Sequence, residues 1–573
     1  MSRFQSGRKC PAVPAGGARI FLFLLLLAAG GILRADTPVF ERPDPGSAVI
    51  AVRTGEFAPE PGGTVHPGYL PFGRLVRQLN FREIVLAPGR SGFAAPELGC
   101  TRDASGGVGE PVFHPSRPAW RWWFALANLA AGAAVIGGLV RKRLPGWTVS
   151  LLPVFLRNIL VIWIVQLGGN LYLLSSDEPD FFAAASGILS GDWTGPWNRT
   201  LGLPLLYLPF LLLTGADSVF GILPAFSMFN ALFFGGAAVF LLYWFVERLL
   251  GSPRRALACA LIYAVLPFFL FHSESDGVFR AFAALPDPAW SFGYYKSLTW
   301  AGFNAMSDTP STALLFLSAV LLLRGRWGWR AAAWTGGVFA LACLVRINNI
   351  FFAPFLAWIF WSRAPVKRNW RVFLAPIVAG SAVFLAILLP QLAVNAVQLG
   401  SPFTTPFILH DRAAEGFRFD QLAGNIPALF GSNLPWFAAG LFGLAALRDR
   451  GIRVALGWWI LPTLLFFCGY VFTAEHTTRF LLPLYGALIA AAAGALSGQG
   501  RRRWREAALL VAATALFWYF QLVWPLFFLA LAEAVRLLVD TWREVASSFE
   551  KNVFSGSRVT RSDAGSDLPA HGL

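Results

Sequence analysis

Apolar residues arrive along this chain in blocks of about 16 to 25, separated by short polar turns. A helix of that length crosses a hydrocarbon core. The blocks fall at 119–140, 151–174, 222–246, 256–271, 309–323, 331–345, 349–361, 372–394, 434–447, 454–472 and 480–497. A last apolar region, 507–539, is either one long span or a tight pair. Leu, Ala, Phe and Trp fill the blocks, and no period-2 alternation points to a membrane barrel. The pattern predicts an all-α polytopic membrane protein with about 13 spans. Two shorter apolar pieces, 181–190 and 201–214, lie in one loop; Pro204, Pro209 and their shortness predict interfacial helices there.

Charge sets the orientation. Basic clusters occupy alternate turns: Arg141-Lys142-Arg143, Arg254-Arg255, Arg324 with Arg326 and Arg330, Lys367-Arg368, Arg448 with Arg450, and Arg501-Arg502-Arg503. Basic turns stay in the cytoplasm, so the intervening loops are exterior. Those exterior loops are long and hold most of the acids, histidines and amides, which places function on the outer face. Arg157 lies a little inside its block, within snorkelling reach of the cytoplasmic interface.

The composition agrees: of 573 residues, 56% are hydrophobic and 14% charged, too greasy for a soluble chain of this length. The net charge of +16 is spread over turns and not gathered on one face, so it reports topology and no nucleic-acid partner. At the N-terminus, Arg8-Lys9 followed by an apolar core makes 1–34 a signal peptide or signal anchor. Residues 35–118 form an exported, Pro/Gly-rich segment with strand-like pieces, "SAVIAVRT" and "REIVLAP". Next come an additional transmembrane helix with its basic turn at 119–150, the main bundle at 151–497, C-terminal membrane segment(s) at 498–539 and a polar tail at 540–573. Five scattered cysteines, with no CxxC, exclude a zinc motif, and no phosphate loop is present.

The densest acidic cluster sits at a membrane rim, in "LYLLSSDEPDFFAAASG", where Asp177, Glu178 and Asp180 open a helix near Pro179. Helix capping accounts for acids at that position. It does not account for three of them beside lipid, where charge is costly unless wet or paired. A carboxylate base at the mouth of an outer cavity accounts for the number as well; both readings stand. Asp308 opens a later span in "SDTPSTALLFL" and is equally suited to a cap. Arg346, beside Asn348-Asn349, lies in an outer turn against the positive-inside trend, and so calls for an anionic partner. Arg479, near His476 and Glu475, is similar: it serves either an internal salt bridge to an acid such as Glu475 or Asp308, or a phosphate contact. Lys296 is a further cation of the second outer loop.

"SSDEPDFFAAASGILSGDW", "LGLPLLYLPFLLLTG", "SDTPSTALLFLSAVLLL", "LACLVRINNIFFAPFLAWIF" and "TRFLLPLYGAL", in that order, resemble the GT-C superfamily of integral-membrane glycosyltransferases. The similarity is to the branch containing protein O-mannosyltransferases and lipid A aminoarabinose transferases, and it covers roughly residues 151–495. About 150 residues precede the family's usual first span, and "LGLPLLY" stands where relatives carry a "PPL"-like helix start. The resemblance implies a GT-C-like catalytic domain in a bacterial inner or plasma membrane, facing the periplasm or exterior. It implies a polyprenyl-phosphate sugar donor, a lipid, glycan or protein acceptor, and inversion by single displacement. Asp177 is then the base, with Glu178 orienting the acceptor or sharing that role. Arg479 holds the phosphate, backed by Arg346 and Lys296; Asp308 positions the sugar; Asp180 and His476 are further substrate-binding candidates. No cofactor is certain; a divalent metal held by Asp177 and Glu178 stays open. A transporter or flippase for lipid-linked glycans is the alternative. It would place ionisable groups near mid-span and show paired broken helices in two halves; here the acids gather in the outer loops and no internal repeat is found in the sequence.

Overall fold

The computed structural model describes residues 119–559 except 169–170, 174–176, 193–198, 217–218, 267–305, 326–327, 365–369, 405–416, 471–479 and 497–500, together with seven strands between 37 and 113. The N-terminal leader and the end of the polar tail lie outside the described residues.

Residues 37–113 depart from an all-α chain. Strands β1 (Thr37–Phe40), β2 (Val49–Arg53), β3 (Val65–Phe72), β4 (Leu75–Ala87) and β5 (Arg90–Ala94) form an antiparallel sheet in the order β2-β1-β5-β4-β3. Strands β6 (Leu98–Arg102) and β7 (Val108–Phe113) pair separately. The two strand-like pieces of the sequence lie in β2 and β4. A short strand, β8 (Leu171–Leu173), pairs with β4 just ahead of the acidic cluster, Leu75 facing Leu173 and Arg77 facing Leu171.

Helices follow the apolar blocks: α1 (Ala119–Val140), α2 (Leu152–Gly168), α3 (Asp177–Ser190), α4 (Gly202–Thr214), α5 (Val219–Phe229) and α6 (Gly235–Leu250), the last two joined by a π-turn at Asn230–Phe234. They continue as α7 (Pro253–Val265), α8 (Asp308–Arg324), α9 (Trp329–Val345), α10 (Ala353–Arg363) and α11 (Trp370–Leu399). The chain then forms α12 (Leu422–Ala446), α13 (Arg450–Gly469), α14 (Leu482–Ala495), α15 (Arg501–Tyr519) and α16 (Val523–Val559). Among the described residues four helices are long and apolar enough to cross a membrane. Counting α12, whose two parts meet at 90° with Pro427 and Pro435 beside the break, makes five. Several expected spans, such as α10 and α14, are shorter helices, so the count of about 13 is not reached on length and composition. The 507–539 region is a pair: α15 and α16 are joined by a turn in which Gln521 takes a left-handed φ of 50°.

Trp459 centres the core, its ring 4.4 Å from that of Phe352, 5.0 Å from Phe355 and 5.1 Å from Phe245. The helices alternate in direction, and this sorts their ends. At one end, Arg363 donates to the carbonyls of Leu322 and Gly325, Arg324 lies over Trp244, and Leu250 and Leu447 both pack on Gly494. These contacts bring together the ends of α6, α8, α10, α12 and α14. The opposite end gathers the starts of α4, α8 and α14 with the ends of α9, α11 and α13. Arg157 is 2% exposed, with its guanidinium against Gly235 at the start of α6.

Candidate active site

Helix α3 begins at Asp177, with Pro179 in its first turn, where the missing N–H costs nothing. The side chain of Asp177 lies outside the described residues. Glu178 is fully buried, whereas Asp180 keeps a third of its side chain exposed. Both sit where backbone N–H groups and the helix dipole favour negative charge. Beyond this turn Phe181 and Ala185 share an apolar cluster with Tyr207, Phe226 and Met306. Met306 belongs to the segment that leads directly into α8, so α3 stands beside the start of that helix.

Helix α8 opens on Asp308, whose backbone carbonyl accepts from the hydroxyls of Ser311 (3.0 Å) and Thr312 (2.8 Å). Its carboxylate is 3% exposed and pairs through Oδ1 with Nη1 of Arg346, itself 9% exposed. Arg346 follows the last residue of α9 in an extended conformation (φ −156°), which turns its side chain off the helix. Its guanidinium lies over Phe480, 4.1 Å from the ring centre. Asn349 Nδ2 donates to Ala342 O (2.7 Å), tying the turn back to α9. The other oxygen of Asp308, Oδ2, and the hydroxyl of Thr309 have no hydrogen-bond partner among the described residues. A buried pair of this kind is held by its geometry, because removing either charge strands the other out of water. Its unsatisfied oxygen can accept from a ligand hydroxyl.

The sequence argument required an anion for Arg346 and offered Asp308 as a salt-bridge acid; the structure brings these two together. Asp180 meets a different cation, Arg199 (Nη2 to Oδ2, 3.4 Å). Nothing in the sequence singled out Arg199. Its partner lies nineteen positions away across a polar loop, a spacing that carries no periodic signal. Gln391, read simply as part of an apolar block, accepts from the backbone N–H of Leu201 (2.7 Å). An amide inside a span was the available clue. Lys296, His476 and Arg479 lie outside the described residues. Among the described residues no three His, Cys, Asp or Glu side chains come close enough together to hold a metal ion. The divalent-ion alternative rests on Asp177 together with Glu178, and the Asp177 side chain lies outside the described residues.

No family model matches this chain, and no curated protein matches it. Among solved structures it is similar to ArnT from Cupriavidus metallidurans bound to undecaprenyl phosphate. Identity is 16% and the TM-score 0.41, over 73% of this chain and 70% of that one. It is also similar to the apo form of an oligosaccharyltransferase from Archaeoglobus fulgidus, with 14% identity and a TM-score of 0.37, over 68% of this chain and 55% of that one. The chain thus spans little more than half the length of the archaeal protein.

Proposed function

We propose that this protein is a membrane glycosyltransferase that moves a sugar from a polyprenyl-phosphate carrier to an acceptor at the outer face of a bacterial inner or plasma membrane. One observation carries the reading. The buried Asp308–Arg346 pair and the acidic start of α3 stand at the same end of the bundle, opposite the basic turns. Basic turns mark the cytoplasmic side, so that end faces outward. It offers carboxylates for a proton and a sugar, and a guanidinium for a phosphate, which is the minimal set for glycosyl transfer.

The acceptor oxygen attacks the anomeric carbon while the bond from that carbon to the phosphate oxygen breaks, inverting the centre. The phosphate departs with the electron pair, and the acceptor proton passes to Asp177 as general base. Glu178, buried beside it, orients the acceptor or shares the proton. A leaving phosphate is a weak base, so what it needs is positive charge. Arg346 supplies that, with Arg479, Lys296 and His476 as further contacts. The free oxygen of Asp308 receives a sugar hydroxyl. The acceptor is a lipid, a glycan or a protein.

Replacing Asp177 with Asn keeps the helix start and removes the base. In membranes supplied with labelled polyprenyl-phosphate sugars, release of the sugar should fall by roughly 100-fold or more. Undiminished turnover overturns the base assignment. If no donor is consumed and a lipid-linked glycan crosses the bilayer instead, the chain is a transporter. A reporter inserted within 182–200 should read exterior.

A further inference from the structure

Residues 199–202, which lead into α4, fasten three elements: α3, α9 and α11. Arg199, 7% exposed, pairs with Asp180 of α3 and lies 5.9 Å from the ring centre of Phe181. Thr200 Oγ1 donates to Val345 O (3.3 Å), satisfying one of the carbonyls that the end of α9 leaves open. The Leu201 N–H donates to Gln391 of α11, and Gln391 Nε2 in turn donates to Asn395 (2.7 Å), whose amide reaches Pro402 O (3.2 Å). The Leu201 side chain packs with Ala184, Leu344 and Val394. Gly202 closes the series against the backbone of α9: a Cβ there would stand 2.3 Å from Val345 N. Val345 is the residue that precedes Arg346.

These contacts run without a gap from the acidic helix to the turn that carries the buried guanidinium. Asp180 lies three residues after Asp177, and residues at that spacing share a helix face. A bond that fixes Asp180 therefore fixes the rotation of α3 about its axis, and with it the direction in which Asp177 leaves the helix. A conformational anchor at this point matters because both partners sit at helix ends, where fraying is easiest.

We propose that Arg199 and Asp180 are positioning residues: the 199–202 segment is a latch that sets the acidic start of α3 against Arg346. On this view Asp180 is held by Arg199 and does not contact substrate. The activity readout below rests on the glycosyltransferase reading; the distance readout does not.

The test uses the full chain in nanodiscs, with Cys10 and Cys100 replaced by serine; Cys259, Cys343 and Cys468 are buried and shielded from label. Spin labels go on Ala183→Cys of α3 and Leu341→Cys of α9, both exposed positions. The parent should give one narrow distance distribution. Arg199→Gln should broaden or shift it; Arg199→Lys, and the exchanged pair Asp180→Arg with Arg199→Asp, should keep it narrow. With a labelled polyprenyl-phosphate sugar, Arg199→Gln should lower kcat by roughly 100-fold with KM little changed, and the exchanged pair should recover most of that loss. An unchanged distribution in Arg199→Gln overturns the latch. So does a raised KM at constant kcat, which would make Arg199 a substrate contact. If Arg199→Gln does not fold, the exchanged pair decides: a broad distribution in it overturns the latch. If the parent consumes no donor at all, the proposed function falls while the distances still decide the latch.

Discussion

Arginine meets carboxylate at both ends of the bundle, in two different ways. At the basic end Arg453 donates twice to Asp540 Oδ2 (3.2 and 2.5 Å), and Arg450 reaches both Asp540 (3.3 Å) and Glu544 (3.6 Å). Arg448 adds Glu506 (2.7 Å). Both oxygens of Asp540 are engaged, Oδ1 by Arg450 and Oδ2 by Arg453, and the pairs bind α16 and α15 to the end of α12 and the start of α13. At the outer end Arg346 takes only one oxygen of Asp308, and the second is left without a partner among the described residues. Asp540 has no oxygen left to offer a ligand; Asp308 has one. A buried polar group short of partners is costly unless something else completes it, and this makes it the better marker of a site.

The largest expected contrast lies between Asp308→Asn and Asp540→Asn. Breaking the buried outer pair strands Arg346 and should cost about 3–5 kcal/mol. It should also lower donor turnover by roughly 100-fold or more, since it disturbs the cation aimed at the phosphate. Asp540→Asn should lower stability by about 1.5–3 kcal/mol through lost charge-assisted hydrogen bonds. Turnover per folded molecule should hold. Thermal unfolding in detergent, run beside donor consumption, separates the two; equal losses of turnover would remove the distinction between the ends.

Backbone packing gives a finer contrast. Gly202→Ala drives a methyl onto Val345 N at the outer end. Gly443→Ala drives one onto Ala492 Cα (2.5 Å) toward the basic end. Each should cost about 1–3 kcal/mol from overpacking. Only Gly202→Ala should lower turnover as well, because the end of α9 that it displaces leads to Arg346. A matched loss in Gly443→Ala would mean that turnover follows bundle stability in general.

The smallest effect belongs to an exposed outer pair. Arg418 donates to both oxygens of Asp420 (3.0 and 2.6 Å) and by that hydrogen bonding holds its carboxyl below the ordinary value. A depressed carboxylate adds stability above its unfolded pKa, near 4, and loses it as the pH falls through the lower folded value. Arg418→Ala should therefore leave melting near neutral pH almost unchanged and show only in the acid limb, as exposed pairs are weak. Melting temperatures between pH 7 and pH 3 check this. A large change at pH 7 would mean that Arg418 anchors more than Asp420.

The alternation of helices and the acidic start of α3 were legible in the sequence. Hydropathy and turn charge are local properties, so the expected 309–323, 331–345 and 480–497 return as Asp308–Arg324, Trp329–Val345 and Leu482–Ala495. Asp308 and Arg346 were legible for the same reason: an acid at a helix start and an arginine against the charge trend stand out where they are. Tertiary structure alone decided which charges meet. Arg157 sets its guanidinium on Gly235, because α2 packs on α6. Asp180 went to Arg199, and Gln391 went to a backbone N–H 190 residues away. Partner choice depends on how helix ends are brought together in space, and no periodicity along one chain records that.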